Sequence, residues 1–491
     1  MKTKQASKQW IFVSMALILV ALGHLMPVPA GWTRSALQVS SLFLATLLLW
    51  MTVSISWPSL FCLCGLCLVN GIKSDFVWQQ SFGASTFAFL VFTFLCTYAL
   101  STTSLVQRVA LFFIRNPWAK RGPDGFFISY FLSILFLGCF LSPTVLFLLY
   151  LPIHEAICEV LSLKKGSPWG ACLMMGLAFT CAIASGMTPI AHVFSIMAMG
   201  FYQAISGQAI SYACYMGFGI TVGLLTFCGM LLLFKIFLRG DRKALAASLT
   251  AQEAEALEQA LKKGARPIEK REKSIWLILL MVLALWLLPS FLAPVWPAFT
   301  VKMKALGPAF PPLLGVVLLL LVRVEGEALL PFEAAFQKGV AWPAVMMAAA
   351  TLALGSAITH PQVGGMKILQ SALVSQLQGL PAGALIAFFT IWAGLQTNLS
   401  SNMVTVTVVS SAALPLVIAG QGGINPAALA CVIGLMGSFS FATPPAHPNI
   451  ALAGASGWTS ARQVFFFGSL LLLIAVLVVL LIGYPLANAL L

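Results

Sequence analysis

Residues 437–458, GSFSFATPPAHPNIALAGASGW, place three prolines between two apolar segments. An apolar helix is predicted to run into this stretch from Ala427, and helix can resume over residues 451–455. Proline cannot donate a backbone hydrogen bond, so residues 443–449 are predicted to interrupt the helix. Inside a membrane, such a break is tolerated only where protein or a water-filled cavity surrounds it. The stretch therefore predicts a broken transmembrane helix with a binding site at its centre.

The same five-residue pattern occurs twice in the chain. Thr-Pro-x-Ala-His spans residues 188–192 and recurs at residues 443–447. Interruptions at corresponding places in the two halves of a membrane chain are the best sequence indication of a transporter site. The alternative is a pair of proline kinks in ordinary spans, which would carry no site.

The composition places the chain in a lipid bilayer. Of its 491 residues, 60% are hydrophobic and 8% are charged, and the mean hydropathy is +0.98. Soluble proteins contain about 25% charged residues, so the sequence indicates a polytopic membrane protein. The 11 cysteines lie in apolar segments, where they are expected to pack, and they predict neither a disulfide nor a metal site.

The predicted fold class is all-α and polytopic. Windows of about 20 apolar residues give about eleven transmembrane helices and two re-entrant hairpins. The predicted units are an N-terminal helix, a first repeat, a cytosolic connector and a second repeat, at residues 1–35, 36–238, 239–273 and 274–491. The first helix is expected to be retained, because no convincing small-residue cleavage site follows it.

Each predicted repeat contains a hairpin followed by a broken helix. These four elements are expected at about residues 123–162, 169–203, 380–419 and 427–457. An interfacial helix is predicted before each hairpin, over residues 106–121 in the first half and residues 361–378 in the second.

The distribution of basic residues tests this topology. With the N-terminus in the cytoplasm, all but five of the 27 lysines and arginines fall on the cytoplasmic side. The five outside are Arg34, Lys73, Lys302, Lys304 and Lys367. Because basic residues concentrate on the cytoplasmic side of membrane proteins, the net charge of +14 reflects membrane topology and predicts no nucleic-acid partner. The two halves are then inverted, and the expected location is a bacterial inner membrane.

The centre of each predicted hairpin suits an anion. Ser142 can cap a half-helix that has Pro143 at its first position, where the missing N–H costs nothing. Likewise, Ser401 can cap a half-helix that begins at Asn402. Two facing helix N-termini form a carboxylate or sulfate site without a buried lysine or arginine.

The broken helices leave backbone carbonyls without helical partners. Carbonyls near Thr188 and Thr443 are candidate ligands for a cation such as Na⁺. The structural alternative is that serine and proline simply start helices well. We favour a binding site because the interruptions occur as a pair.

The predicted spans contain few groups that could carry a proton. No Asp or Glu lies in the middle of a span, and Glu155 and Glu159 come closest. His192 and His447 remain as candidate proton carriers, since each occupies an interrupted segment. Hydrogen bonding of these histidines to exposed backbone carbonyls is the competing interpretation.

These motifs resemble the divalent anion/sodium symporter family, whose members carry di- and tricarboxylates or sulfate. The family has two hairpins tipped with Ser-Asn-Thr, each followed by a broken helix. Matching positions here are Ser142-Pro143-Thr144, Thr397 with Ser401-Asn402-Met403, and Ala442-Thr443-Pro444-Pro445. The architectural resemblance covers nearly the whole chain.

Three positions depart from the family pattern. Pro143 replaces the asparagine of the first tip, which in the family helps to bind sodium and substrate. Met403 replaces the threonine of the second tip, and residues 446–448 separate Pro445 from Asn449. These departures leave sodium coupling and substrate identity open.

The resemblance implies a secondary active transporter for small divalent organic anions, with sulfate as a further substrate. It also implies sodium coupling, an elevator-like movement of the substrate-binding part, a homodimer and no cofactor other than Na⁺. The implied substrate-binding residues are Ser142, Pro143, Thr144, Thr188, Pro189, Ser401, Asn402, Met403, Thr443 and Pro444. The implied sodium-binding residues are Ser142, Gly186, Thr188, Thr397, Asn402, Ala442 and Thr443.

Other functions are less well supported by the sequence. A sodium-independent anion exchanger is the alternative within the same class. An anion channel would need a continuous polar pore lining, whereas the polar groups here cluster at the hairpin tips. A membrane enzyme would need a nucleophile with a base or a set of metal ligands, and no such spacing occurs.

Overall fold

The computed structural model describes residues 2–54, 56–237, 256, 259, 269–292, 295–307, 309–364, 380–399, 401–418, 423–443 and 446–491. Most of the predicted connector, most of the predicted second interfacial helix, and Pro444 therefore lie outside the described residues.

Helices dominate both halves of the described chain. In the first half they are α1 (Lys2–Leu25), α2 (Arg34–Thr52), α3 (Trp57–Cys67), α4 (Ser74–Gln80), α5 (Ser85–Ser101), α6 (Leu105–Arg115), α7 (Pro123–Gly138), α8 (Pro143–Val160), α9 (Pro168–Met187), α10 (Val193–Ser206) and α11 (Tyr212–Phe237), with a 3₁₀ turn at Ala119–Arg121.

The helices of the second half follow in a similar order. They are α12 (Lys270–Leu292), α13 (Pro297–Leu306), α14 (Phe310–Leu321), α15 (Phe332–Ala334), α16 (Trp342–Thr359), α17 (Ala382–Leu399), α18 (Asn402–Ile418), α19 (Pro426–Ser438), α20 (Pro448–Ala455), α21 (Ala461–Val478) and α22 (Tyr484–Leu490), with π turns at Ala335–Gly339 and Val479–Gly483.

A two-stranded ladder is a small addition to the predicted all-α fold. Strand β1 (Arg323–Val324) pairs antiparallel with β2 (Glu327–Ala328). Glu325 and Gly326 form the turn with φ of 56° and 86°. A two-residue hairpin loop needs this left-handed conformation, and glycine adopts it readily.

The described helices confirm a polytopic membrane protein. Seven of them are long and apolar enough to cross a membrane, and up to nine spans result if two bent pairs each count as one. The bent pairs are Ser74–Gln80 with Ser85–Ser101, at 42°, and Phe332–Gly339 with Trp342–Ile358, at 69°. Several predicted spans are instead divided into apolar helices of 10–17 residues. The count of about eleven spans therefore remains a prediction.

The two helices that precede the interrupted segments form the centre of the molecule. The whole apolar stretch of α9 is buried, and every residue of α19 from Ala427 to Ser438 is buried as well. Helices that are apolar on all sides are expected inside a bundle, away from lipid and water. Helix α10 crosses α19 closely, because a methyl group at Gly434 would lie 2.9 Å from the Ser195 Cα. This packing holds the two interrupted segments beside each other.

Short turns connect the two helix pairs that were predicted as hairpins. Helices α7 and α8 are joined by residues 139–142, and this turn together with the first two residues of α8, Pro143 and Thr144, is here called tip 1. The two helices pack side by side, since Tyr150 on α8 donates a hydrogen bond to the Ser133 Oγ on α7, 2.8 Å away. Helices α17 and α18 also pack against each other, and the turn at Ser401 together with the flanking residues Thr397, Asn402 and Met403 is called tip 2. Whether these pairs re-enter the membrane remains a prediction.

Both predicted broken helices are interrupted where the repeated motif occurs. Helix α9 ends at Met187 and α10 begins at Val193, and the intervening residues 188–192 are called break 1. Helix α19 ends at Ser438 and α20 begins at Pro448; residues 439–447 are called break 2, of which 444 and 445 are not described.

Candidate functional site

The threonine of each Thr-Pro-x-Ala-His copy connects its break to the hairpin of the same half. Thr188 in break 1 donates a hydrogen bond of 2.5 Å to the carbonyl of Cys139 in tip 1. Thr443 in break 2 donates to the carbonyl of Asn398, near the end of α17. The two copies thus make equivalent contacts, which a pair of unrelated proline kinks would not require.

The histidine of each copy precedes the helix that follows the break. His192 is the N-cap residue of α10, and its Nδ1 accepts the Val193 N–H at 2.9 Å. His447 is the N-cap residue of α20, and its Nδ1 accepts the Asn449 N–H at 3.2 Å. These histidines therefore bond backbone N–H groups, and the competing interpretation of bonding to backbone carbonyls is wrong for Nδ1.

Asn398 holds the backbone of break 2 in place. Its Oδ1 accepts the N–H groups of Phe441 and Ala442, at 2.7 and 2.8 Å. Its Nδ2 donates to the carbonyls of Phe439 and Gly394, both at 2.9 Å. Buried backbone groups need such partners because water cannot reach them. The sequence reasoning missed this residue, although a lone asparagine at the end of an apolar span is a signal for such a role.

Asn402 connects tip 2 to break 2. In the amide orientation that matches donors to acceptors, Nδ2 donates to Thr397 Oγ1 at 2.9 Å and to the Ala446 carbonyl at 2.7 Å. Oδ1 then accepts a hydrogen bond from the Ser440 hydroxyl at 3.0 Å. The Thr397 hydroxyl in turn donates to the Gly437 carbonyl at 2.9 Å. One amide group therefore fixes the position of the tip against both ends of the break.

Break 2 also reaches tip 1, although the two lie in different halves of the chain. Asn449, which follows the break on α20, donates from Nδ2 to the carbonyl of Pro143 at 3.0 Å. The end of α9, two residues before break 1, also packs closely against α19, since a methyl group at Gly186 would lie 3.1 Å from the side chains of Leu435 and Ser438. Both tips and both breaks are therefore brought together in one region.

The predicted substrate-binding residues divide by burial. Four of them are buried and mainly contact other protein groups: Pro143, Thr188, Pro189 and Asn402. The half-buried group consists of Ser142, Thr144, Ser401, Met403 and Thr443. Pro444 is outside the described residues.

Three of the half-buried residues have hydroxyl groups with no partner within the described part of the chain: Ser142, Thr144 and Ser401. Ser142 is the N-cap residue of α8, yet its side chain makes no capping bond. Unengaged hydroxyls beside the first turn of a helix can donate to an anion.

The predicted sodium-binding residues are engaged to different degrees. The Gly186 carbonyl accepts the Tyr215 hydroxyl at 2.7 Å, and the Ala442 N–H belongs to the Asn398 network. Tip 2 has two side-chain oxygens, on Thr397 and Asn402, which form hydrogen bonds within the network described above. Pro143 has no side-chain oxygen, and its carbonyl accepts a hydrogen bond from Asn449. A hard cation binds several oxygen ligands, so tip 2, which has more side-chain oxygens, suits Na⁺ better than tip 1.

The second helix after each interruption packs against the backbone at or just before the break through a glycine. A methyl group at Gly219 on α11 would lie 2.6 Å from the Met187 carbonyl oxygen, just before break 1. At Gly468 on α21 it would lie 2.3 Å from the carbonyl oxygen of Phe441, in break 2. Only glycine allows so close an approach of a helix to exposed backbone.

Paired breaks and tips enclosed within a bundle of apolar helices define a polytopic α-helical membrane transporter. The chain belongs to the family described as the sodium:sulfate symporter transmembrane region, which it matches over residues 7–491. This confirms the resemblance stated from the motifs. Membership indicates a secondary transporter of anions and not an enzyme. No curated protein matches the chain.

Two solved structures share the fold. The YdaH transporter of Alcanivorax borkumensis, described as having an unusual topology, is 13% identical with a TM-score of 0.52, and the match covers 97% of each chain. MtrF of Neisseria gonorrhoeae, described with a class of antimetabolite efflux pumps, is 12% identical with a TM-score of 0.55, over 97% of this chain and 94% of that one. At such low identity the likeness concerns the fold alone.

Proposed function

We propose that this protein moves small divalent organic anions, namely di- and tricarboxylates, with sulfate as a further candidate. The observation that carries the proposal is the meeting of both tips and both breaks. Thr188 and Thr443 connect each break to its own hairpin, while Asn449 connects break 2 to tip 1. A substrate held among them would contact elements from both halves of the chain, as alternating access requires.

The chemistry of this region favours an anion. Residues 139–144, 188–192, 397–403 and 439–447 contain no Asp, Glu, Lys or Arg. Helices α8 and α18 begin there, and the N-terminus of a helix attracts negative charge through its unpaired N–H groups. The unengaged hydroxyls of Ser142, Thr144 and Ser401 add further donors. A site of this kind binds carboxylate or sulfate oxygens without a formal positive charge.

The remaining features of the proposal concern architecture. We place the first repeat at residues 36–238 and the second at residues 274–491, in inverted orientation, with the N-terminus in the cytoplasm. The equivalent contacts of the two Thr-Pro-x-Ala-His copies support the repeats, and the basic residues support the orientation. A homodimer with an elevator-like movement, in a bacterial inner membrane, completes the proposal.

Counter-transport in proteoliposomes tests the proposed substrate class. Vesicles loaded with unlabelled succinate, citrate or sulfate are given the same anion in labelled form outside. We expect saturable accumulation of at least one of the three. If none of them accumulates above protein-free vesicles, the proposed substrate class is wrong.

Sodium coupling is expected to be weak in this protein. Pro143 gives tip 1 no side-chain oxygen, and its carbonyl accepts a hydrogen bond from Asn449. Sodium-independent exchange is therefore the second candidate mechanism, while tip 2 can still bind one Na⁺ through Thr397 and Asn402. We predict that initial uptake changes little with sodium concentration, and that Pro143→Asn increases the dependence by adding an amide oxygen.

Initial uptake measured against sodium at fixed substrate checks this prediction. Pro143→Ala is the matched control, because it removes the proline ring without adding an oxygen ligand. A Hill coefficient above about 2 for sodium in the unmodified protein would contradict the prediction, since sites with several hard-cation ligands would then exist despite Pro143.

A further inference from the structure

His192 and His447 occupy the same place in the two copies of the repeated motif, and both have a fixed proton distribution. In each ring, Nδ1 accepts a backbone N–H, from Val193 at 2.9 Å and from Asn449 at 3.2 Å. A nitrogen that accepts a hydrogen bond carries no proton. In the neutral ring the proton therefore lies on Nε2, which is a donor.

These two Nε2–H groups have no acceptor in the described part of the chain. His447 is 4% exposed and His192 is half-buried. A ligand that accepts hydrogen bonds from two such donors in a largely buried place is stabilised by them. The donors are thus available for a bound molecule.

The two rings lie close enough to contact one ligand group. Their centroids are 6.2 Å apart, with an angle of 61° between the ring planes. Phe194 stacks on His192 at 4.0 Å and restricts the rotation of that ring. A carboxylate or sulfate group, whose oxygens accept hydrogen bonds of about 2.8 Å, is large enough to contact two rings at this separation.

The neighbours of His447 place the histidine pair between the two tips. On one side, the Ala446 carbonyl accepts the Asn402 amide of tip 2 at 2.7 Å. On the other side, Asn449 donates to the Pro143 carbonyl of tip 1 at 3.0 Å. His447 is therefore held in the region where we place the substrate.

We propose that His192 and His447 bind the transported anion directly, each donating one hydrogen bond from neutral Nε2–H to the same oxyanion group. This inference rests on the proposed function and names two contact residues that the sequence motifs did not assign to the substrate. It gives the site two imidazole donors in place of the lysine or arginine that it lacks. The ligand group required is one with at least two acceptor oxygens, as in a carboxylate or sulfate.

Two substitutions at each histidine separate substrate binding from helix capping. Asparagine places its Oδ1 near the position of Nδ1, so His447→Asn keeps the cap but loses the Nε2–H donor. Glutamine reaches the position of Nε2 with its amide, so His447→Gln keeps the donor but loses the cap. The same pair of variants applies at His192.

Equilibrium binding of labelled succinate, citrate and sulfate to the purified full chain is the test, with the thermal midpoint measured in parallel. We expect His447→Asn and His192→Asn each to weaken binding about tenfold or more with nearly unchanged midpoints, since a donor to a charged ligand is lost. We expect His447→Gln to bind within about threefold of the unmodified protein with a lower midpoint, since a helix cap is lost. The double Asn variant should lose less than the product of the single effects, because both donors serve one group.

Other outcomes identify which claim fails. If the unmodified protein binds an anion and His447→Asn binds it equally well, the histidines only cap helices and the inference is wrong. If the unmodified protein binds none of the three anions, the proposed function fails, and the inference fails with it. Which of the labelled anions binds to the unmodified protein shows whether the ligand group is a carboxylate or sulfate.

Discussion

Replacing Asn398 by alanine is expected to destabilise the protein more than any other single change in the candidate site. The substitution removes the partners of two buried N–H groups, those of Phe441 and Ala442, and of the Phe439 carbonyl. Each buried backbone group left unpaired costs about 1–3 kcal/mol. We therefore expect a total loss of several kcal/mol, seen as a lower thermal midpoint and a loss of monodisperse protein in size-exclusion chromatography.

A second polar residue of the same helix provides the control. Thr390 is fully buried, and its hydroxyl donates only to the Ile386 carbonyl within α17. Thr390→Ala should change the thermal midpoint little, because that carbonyl remains in its helix. If Asn398→Ala is as stable as Thr390→Ala, the hydrogen bonds to break 2 do not hold the site.

Asn402→Ala is expected to reduce uptake severely, by about a hundredfold, while leaving most of the protein folded. Its amide joins tip 2 to Ser440 and Ala446 in break 2. Substrate contacts depend on this placement, and small displacements of a binding group cost large factors in rate. The loss of stability should be smaller than for Asn398→Ala, since the hydroxyls of Ser440 and Thr397 can rotate toward other acceptors.

Uptake and the size-exclusion profile are measured together for this variant. Ser411→Ala is the control on the same helix, because that hydroxyl donates only to the Val408 carbonyl within α18. Uptake by Asn402→Ala with an unchanged apparent affinity would show that tip 2 is not part of the substrate site.

Much of the fold can be predicted from the sequence, because it depends on local patterns of apolar residues and prolines. Apolar windows and prolines predict the broken helix at about 169–203, and the structure has α9 and α10 from Pro168 to Ser206. The hairpin predicted at about 380–419 corresponds to α17 and α18. Helix α13 was not predicted, because Lys302 and Lys304 make its segment too polar for an apolar window. The sequence does not fix the number of transmembrane spans, because an apolar window looks the same for a short buried helix and for a helix that crosses the membrane.

The contacts of the candidate site were less accessible to sequence reasoning. Serine and proline preferences predict where α8 and α18 begin, because those rules act within one turn. The partners that Asn398 and Asn402 have in break 2, and the partner that Asn449 has in tip 1, lie 38 or more residues away in the chain, so no local pattern reveals them. The histidines were noticed from the repeat, but their capping geometry depends on the backbone conformation at each break.

The central claim is that both hairpin tips bind the same anion. It is tested most directly by measuring equilibrium binding of the transported anion to Thr144→Ala, at the start of α8, and to Ser401→Ala, in tip 2. Both hydroxyls are half-buried and have no partner among the described residues, so neither change should affect folding. We predict that each variant weakens binding of the same anion several-fold, as the loss of a hydrogen bond to a charged ligand requires. Weaker binding in only one of the two variants, or in neither, would contradict a site shared by the two tips.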